Sequence, residues 1–121
     1  MSLDEFRDLL RNYRDDVDRQ AIAAKQSNLA WELLGKLYKE FNPQERDLAD
    51  QVFCEWLRSN DENLRYDSLV LIDEFGIRSA LQPLLQLSQR LQQDTAPSAP
   101  SESAKVTKII GKLMASKIIE Q

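Results

Sequence analysis

The sequence predicts an all-α protein, a right-handed stack of about three antiparallel helical hairpins with six helices in total. Apolar residues recur at steps of three and four along most of the chain, as they do in amphipathic helices. One such pattern then occurs three times, at an offset of 38 residues (68 − 30 = 38 and 106 − 68 = 38). A fixed period of this length indicates stacked helical repeats. The corresponding positions are Ala30, Leu33, Leu34 and Leu37, then Ser68, Leu71, Ile72 and Phe75, then Val106, Ile109, Ile110 and Leu113.

The middle repeat carries the clearest boundary signals. Asp61 precedes its first apolar position, where a carboxylate can accept from the free N–H groups of the first turn. Gly76 follows Phe75, where a helix ends most easily on a residue that tolerates positive φ. Pro83 lies early in the next apolar stripe, where a missing N–H costs least. These signals predict one helix that ends at Phe75 and a second from about Ala80 to Gln92.

The other helices are placed by similar signals. Ser2 and Glu5 form a capping box ahead of the first helix, and a bend or break is expected near Asp15–Asp18 because aspartate is a poor helix former. A second helix is predicted from about Ala21 to Phe41, with a possible interruption at Ser27–Asn28. Asn42, Pro43 and Glu45 then mark the start of a third, which runs to about Arg58.

The last part of the chain changes in composition. Residues Asp94–Ser101 contain two prolines and no apolar periodicity, which predicts a loop. A sixth helix is expected from about Glu102 to the C-terminus. In the fifth helix the predicted inward residues are Leu81, Leu84, Leu85 and Leu91. All six helices are assigned to one domain, residues 1–121.

Composition narrows the classes of function. A net charge of −4 argues against nucleic-acid binding, which needs a basic surface. The single cysteine, Cys54, has no partner for a disulfide, and no signal peptide is recognised, so a cytoplasmic location is predicted. The chain has no apolar run long enough to span a membrane. We expect it to be monomeric when free.

The sequence also lacks the combinations of residues that catalysis, phosphate binding and metal binding commonly require. It contains no histidine for general-base work near neutral pH and therefore no Ser–His or Cys–His pair. Three isolated glycines cannot form a phosphate-binding loop, and no metal-ligand spacing is present. The prediction is a protein without enzymatic activity, cofactor or metal.

Charge is uneven along the chain. Residues 43–75 hold nine acidic and three basic residues, a net charge of −6, and residues 104–121 hold four lysines and one acid, a net charge of +3. These clusters are either ordinary solvated faces or a surface that steers a basic partner. Trp31 lies beside the apolar stripe of its helix, and it either packs on a neighbouring hairpin or anchors a partner. The candidate partner-binding residues are Asp47, Asp50, Glu55, Asp67, Asp73, Glu74 and Trp31.

The segment Asn63–Leu85 resembles a HEAT-like repeat, because it combines an arginine, a closing glycine and the run Ser79-Ala80-Leu81-Gln82-Pro83-Leu84-Leu85. The first unit departs from that pattern in lacking the arginine and the proline. The whole chain is similar to small HEAT-like bacterial immunity proteins of polymorphic-toxin systems. This resemblance implies an α-solenoid that binds a cognate toxin and blocks its active site. The acidic excess of residues 43–75 predicts that the toxin has a basic cleft. The alternatives are a small HEAT-repeat scaffold or adaptor and, last, a HEAT-like lyase or DNA glycosylase.

Overall fold

The computed structural model describes residues 2–24 and 29–119, which form six α-helices, one short 3-10 turn and no β-strand. The all-α prediction and the number of helices are therefore confirmed for these ranges. The 3-10 turn, Arg78–Ala80, leads directly into the fifth helix. The helices are α1 (Leu3–Ala24), α2 (Leu29–Glu40), α3 (Pro43–Trp56), α4 (Glu62–Phe75), α5 (Leu81–Gln92) and α6 (Ala99–Ile119).

The chain divides into two compact units, Met1–Phe53 and Cys54–Gln121, and the boundary between them falls within α3. In the first unit α1 and α2 pack against each other. In the second unit α6 packs against both α5 and α4. The assignment of all 121 residues to one domain, and the stacking of the helices as hairpins, stay predictions.

The helix ends confirm most of the predicted caps. The Asp61 carboxylate accepts from the N–H groups of Asn63 and Leu64, and Gly76 adopts the left-handed conformation with φ 60°. The N–H of Ile77 then donates to the carbonyl of Ile72 at 3.2 Å, which completes the C-terminal cap of α4. Asn42 and Glu45 exchange side-chain-to-backbone hydrogen bonds of 2.8 and 3.0 Å, a full capping box for α3.

The break predicted as one possibility near Asp15–Asp18 is wrong, because α1 is continuous from Leu3 to Ala24. Ion pairs within the helix offset the low propensity of the aspartates: Arg11 Nε lies 3.2 Å from Asp15 Oδ1, four residues away, and Arg19 pairs with Asp16, three residues away. The proposed interruption at Ser27–Asn28 lies outside the described residues. The predicted start of the second helix at Ala21 is wrong, because residues 21–24 belong to α1, and α2 is described from Leu29 onward.

The last helix starts earlier than predicted, at Ala99 instead of Glu102. Pro100 is compatible with this start, since N–H groups of the first turn have no partner within the helix. The N–H of Glu102 donates to the carbonyl of Ser98 at 3.1 Å, which gives a regular first turn. The connection from α5 to α6 is thus limited to residues 93–98, and Glu102 lies in the first turn of α6.

The core of the second unit follows the predicted stripe of α4 with one exception. Leu64, Ser68, Leu71 and Ile72 are buried, and Phe75 is only half-buried. In α5 the prediction for Leu85 is wrong, because its side chain is 39% exposed. The buried face of α5 instead follows steps of four, three and four, which puts Leu85 on the opposite side. The residues of that face are Ala80, Leu84, Leu87 and Leu91.

Candidate functional site

The helices α4 and α6 run side by side in the same direction. Arg65 contacts Glu102, 37 residues later, and Asp73 contacts Lys112, 39 residues later. A third contact joins Tyr66 to Lys105, again 39 residues apart (105 − 66 = 39). Because residue numbers increase together along both helices, the two are parallel. Their spatial register is close to the 38-residue period of the sequence.

A buried ion pair fixes this register. Arg65 Nε donates to Glu102 Oε2 at 2.7 Å, and Arg65 Nη2 donates to Glu102 Oε1 at 2.8 Å. The two side chains are 7% and 8% exposed. The paired hydrogen bonds raise the pKa of the Arg65 guanidinium, and burial opposes them. A bidentate arginine–carboxylate pair has a defined geometry, so it holds α4 and α6 in one alignment.

The same arginine reaches the turn between α3 and α4. Arg65 Nη1 donates to the carbonyl of Ser59 at 3.0 Å. Arg90, on α5, donates to the carbonyls of Arg58 and Ser59 at 3.3 and 3.4 Å and to Asn60 Oδ1 at 2.7 Å. These carbonyls follow the C-terminus of α3, where positive charge is favourable. The turn is thus held by two arginines from two different helices.

An open groove lies between α4 and α6, and we call it the α4–α6 groove. It consists of two adjoining cavities of about 240 and 400 Å³, which share Leu69, Ser101 and Lys105. Along its edge Tyr66 is 44% exposed, and the Lys105 ammonium lies 4.1 Å from the centre of the Tyr66 ring. That distance is within the range of a cation–π interaction. Further along, Lys112 Nζ lies 3.1 Å from Asp73 Oδ1.

The acidic residues predicted on the outer face of α4 do not all lie there. Asp67 is 6% exposed and therefore does not belong to a surface that a partner can reach. The reason is that buried positions span roughly 200° of the α4 circumference at about 100° per residue, a wider arc than the apolar stripe alone. Glu74 is exposed, and Asp73 is exposed with its carboxylate engaged by Lys112.

The three acidic candidates on α3 also differ from one another in exposure. Asp47 is exposed, Glu55 is half-buried, and Asp50 is half-buried with Oδ1 accepting from the Tyr38 hydroxyl at 2.8 Å. Asp47 and Asp50 belong to the first unit and Glu55 to the second. The side chain of Trp31 lies outside what the structure describes.

Burial dominates the electrostatics of the Tyr38–Asp50 pair. It raises the pKa of Tyr38 well above its ordinary value, and the hydrogen bond to the Asp50 carboxylate raises it further. Burial also raises the pKa of Asp50, while the hydrogen bond from Tyr38 opposes that rise. The Arg46 guanidinium lies 5.5 Å from the Tyr38 ring centre, and its Nη2 donates to the carbonyl of Lys39 at 3.0 Å. This arrangement joins α2 to α3 within the first unit.

Sequence reasoning missed the Arg65–Glu102 pair and the exposed Tyr66. The pair was visible in principle, because the 38-residue offset brings the region of Arg65 next to the region of Glu102 and the two residues carry opposite charges 37 residues apart. The exposure of Tyr66 and the groove had no such signal, because the offset brings α4 and α6 together without indicating which side chains fill the space between them.

Comparisons with known proteins give this chain no relative. No protein-family model matches it, and searches of curated proteins and of solved structures found no match. Within residues 2–24 and 29–119 no helix is long and apolar enough to cross a membrane. The same ranges hold no group of three or more potential metal-ligating side chains among His, Cys, Asp and Glu.

Proposed function

We propose that this protein is a non-enzymatic protein-binding module built as a HEAT-like stack of helical hairpins. The stack is supported by the parallel contact of α4 and α6 at offsets of 37 and 39 residues, close to the repeat period. Equivalent helices in neighbouring repeats of a solenoid pack in this way. Such proteins use the extended surface of the stack to bind other macromolecules.

The observation that carries the binding function is the exposure of Tyr66 beside an open groove on a fixed frame. Tyrosine is enriched among the residues that dominate interface energies, because it combines a large apolar ring with a hydroxyl. The buried Arg65–Glu102 pair holds the two walls of the groove before any partner arrives. A preformed surface loses less conformational entropy when a partner binds, and this raises its affinity for a protein.

The particular form we propose is an immunity protein that is monomeric when free, binds a cognate toxin in the cytoplasm and blocks its basic cleft. The resemblance to HEAT-like immunity proteins supports it, as do the exposed carboxylates of Asp47 on the first unit and of Glu74 on the second. Asp73, beside Glu74, is also exposed but is paired with Lys112. A scaffold or adaptor is the alternative within the same class. A HEAT-like lyase or DNA glycosylase ranks last, since no observation favours it.

Site-specific photo-cross-linking tests the binding function. A photoreactive phenylalanine analogue replaces Tyr66 in one variant and Gln89, an exposed residue of α5, in the matched control. In the native cell we expect one dominant adduct from position 66 and little from position 89. An inhibitory effect of the purified protein on the activity of that adduct partner would support the immunity function. An adduct partner without inhibited activity would favour the adaptor, and equal labelling at both positions would contradict the proposed surface.

Charge reversal tests the steering of a basic partner. The double substitution Asp73→Lys with Glu74→Lys should slow association with the cross-linked partner and remove most of its dependence on ionic strength. Circular dichroism is the control for folding, because both side chains are exposed. An association rate that changes with neither charge nor salt would mean that these carboxylates are only solvated.

A further inference from the structure

We propose that the α4–α6 groove binds an extended acidic peptide segment of a protein partner. This inference rests on the proposed binding function, because Tyr66 and the α4–α6 groove carry that function, and it names the kind of segment that the groove takes. The charge, the shape and the length of the groove all favour such a segment.

The charge of the groove is set by which acids are already engaged. The Glu102 carboxylate accepts two hydrogen bonds from Arg65, and the Asp73 carboxylate is bonded by Lys112. Lys105 and Lys108, three residues apart on α6, both line the wall. Two basic and three acidic side chains line the groove. Glu102 and Asp73 are each neutralised by a base outside the lining, Arg65 and Lys112. The charges left are those of Lys105, Lys108 and Glu62, a net charge of 2 − 1 = +1.

Glu62 fixes the position of the acidic side chains of the peptide. It lies at the N-terminal end of α4 and lines the groove at the end away from Lys108. A carboxylate near Glu62 would meet repulsion, whereas one near Lys105 and Lys108 would be attracted by two ammonium groups. The acidic residues of the peptide are therefore placed toward the part of the groove that contains the two lysines.

The floor of that part is apolar. Leu69 and Ile109 are 1% and 2% exposed, and Val70 beside them is half-buried. A lysine rim over an aliphatic floor fits a segment in which acidic side chains alternate with apolar ones, since alternate residues of an extended chain point to opposite sides. Tyr66 adds an aromatic edge on which a further apolar side chain can pack.

The length of the groove favours an extended segment. The α4 residues that line it run from Glu62 to Asp73, which are 73 − 62 = 11 positions apart. At about 1.5 Å per residue this corresponds to roughly 16 Å of helix. An extended chain covers that distance in about five residues. The cavities of about 240 and 400 Å³ suit a few side chains and are too small for a whole packed helix.

The test uses the full chain and a fluorescein-labelled peptide of about seven residues, in which glutamate alternates with leucine. We expect Lys105→Glu with Lys108→Glu to weaken its binding by at least about tenfold in fluorescence anisotropy. The matched control is Lys36→Glu with Lys39→Glu, which makes the same charge change at the same spacing on exposed positions of α2 in the first unit. The control should bind like the wild type. If the first pair unfolds the protein, the pair Lys105→Gln with Lys108→Gln is measured in its place.

Three results would overturn the proposal. Equal loss in both lysine pairs would mean that only net charge matters. Failure of the wild type to prefer the glutamate peptide over the same peptide with lysine in place of glutamate would remove the charge argument. Tighter binding of a short single-stranded oligonucleotide, lost in the same groove variants, would assign the groove to a nucleic-acid backbone instead of a peptide.

Discussion

Arg65 and Glu102 form a bidentate ion pair with hydrogen bonds of 2.7 and 2.8 Å, and both side chains are more than nine-tenths buried. The pair joins α4 to α6 across 37 residues of sequence. Its arginine also donates to the carbonyl of Ser59, so one guanidinium links two helices and a turn. This cluster is therefore central to the stability of the second unit and to the shape of its groove.

Removal of one partner of this pair should destabilise the protein strongly. We expect Glu102→Ala to lower the free energy of unfolding by about 3–5 kcal/mol, because the guanidinium is then left buried without its carboxylate. Replacement of both, Arg65→Met with Glu102→Leu, should cost less than Glu102→Ala alone. Urea denaturation measures the three values. The control is Lys112→Ala, which breaks the exposed pair with Asp73 and should cost no more than about 1 kcal/mol.

The hydroxyl of Ser68 should not contribute to stability. Ser68 is fully buried, and its Oγ has no hydrogen-bond partner among the described residues. A buried polar group without a partner costs about 1–3 kcal/mol. Ser68→Ala should therefore leave the melting temperature unchanged or raise it. Ser88→Ala, at a half-buried position of α5, reports the gain due to helix propensity alone. A clear loss of stability in Ser68→Ala would show that the hydroxyl is hydrogen-bonded in solution.

Because burial raises the pKa of Asp50, we expect its contribution to the stability of the fold to depend on pH. A folded state that raises the pKa of a carboxyl above 3.8 binds its proton more tightly than the unfolded state does. The contribution of Asp50 is therefore most favourable below pH 3.8 and declines as the pH rises through the folded pKa. Asparagine can still accept from the Tyr38 hydroxyl and carries no charge. Asp50→Asn should thus raise the melting temperature at pH 7 and have little effect near pH 3.

Thermal melts across that pH range check the Asp50 prediction. The matched control is Asp8→Asn, the same substitution at an exposed position of α1 in the same unit. It should not reproduce the gain at pH 7. A loss of stability in Asp50→Asn at pH 7 would mean that the ionised carboxylate makes a net favourable bond with Tyr38.

The repeat predicts an order of effects among core positions of its different units. Leu71→Ala should cost about 3–5 kcal/mol, because its side chain is fully buried. Phe75→Ala should cost less, because Phe75 is only half-buried. In a stack, Leu113→Ala should also be milder than Leu71→Ala, since a terminal repeat has a neighbour on one side only. A cost for Leu113→Ala that equals or exceeds that for Leu71→Ala would contradict the position of α6 at the end of a stack.

Local signals explain which features could be predicted from the sequence. The caps of α3 and α4 were predicted correctly, because Asn42, Asp61 and Gly76 act within a few residues of their partners. The inward positions of α4 followed from the spacing of its apolar residues, and the burial of Leu71 and Ile72 confirms them. A break in α1 was predicted wrongly from aspartate propensity, because ion pairs within the helix outweighed a small local preference.

The sequence by itself determined the all-α class, the start of α3, both ends of α4 and most of the inward positions of α4, because backbone hydrogen bonding and apolar periodicity are local. Only the tertiary structure decided which charges are available to a partner. Asp67 became buried, Glu102 was paired with Arg65, and Asp73 with Lys112. Each outcome depends on which helix lies alongside α4. A charge acts on its surroundings through space, so its exposure and its partner are set by neighbours that lie far away in the chain.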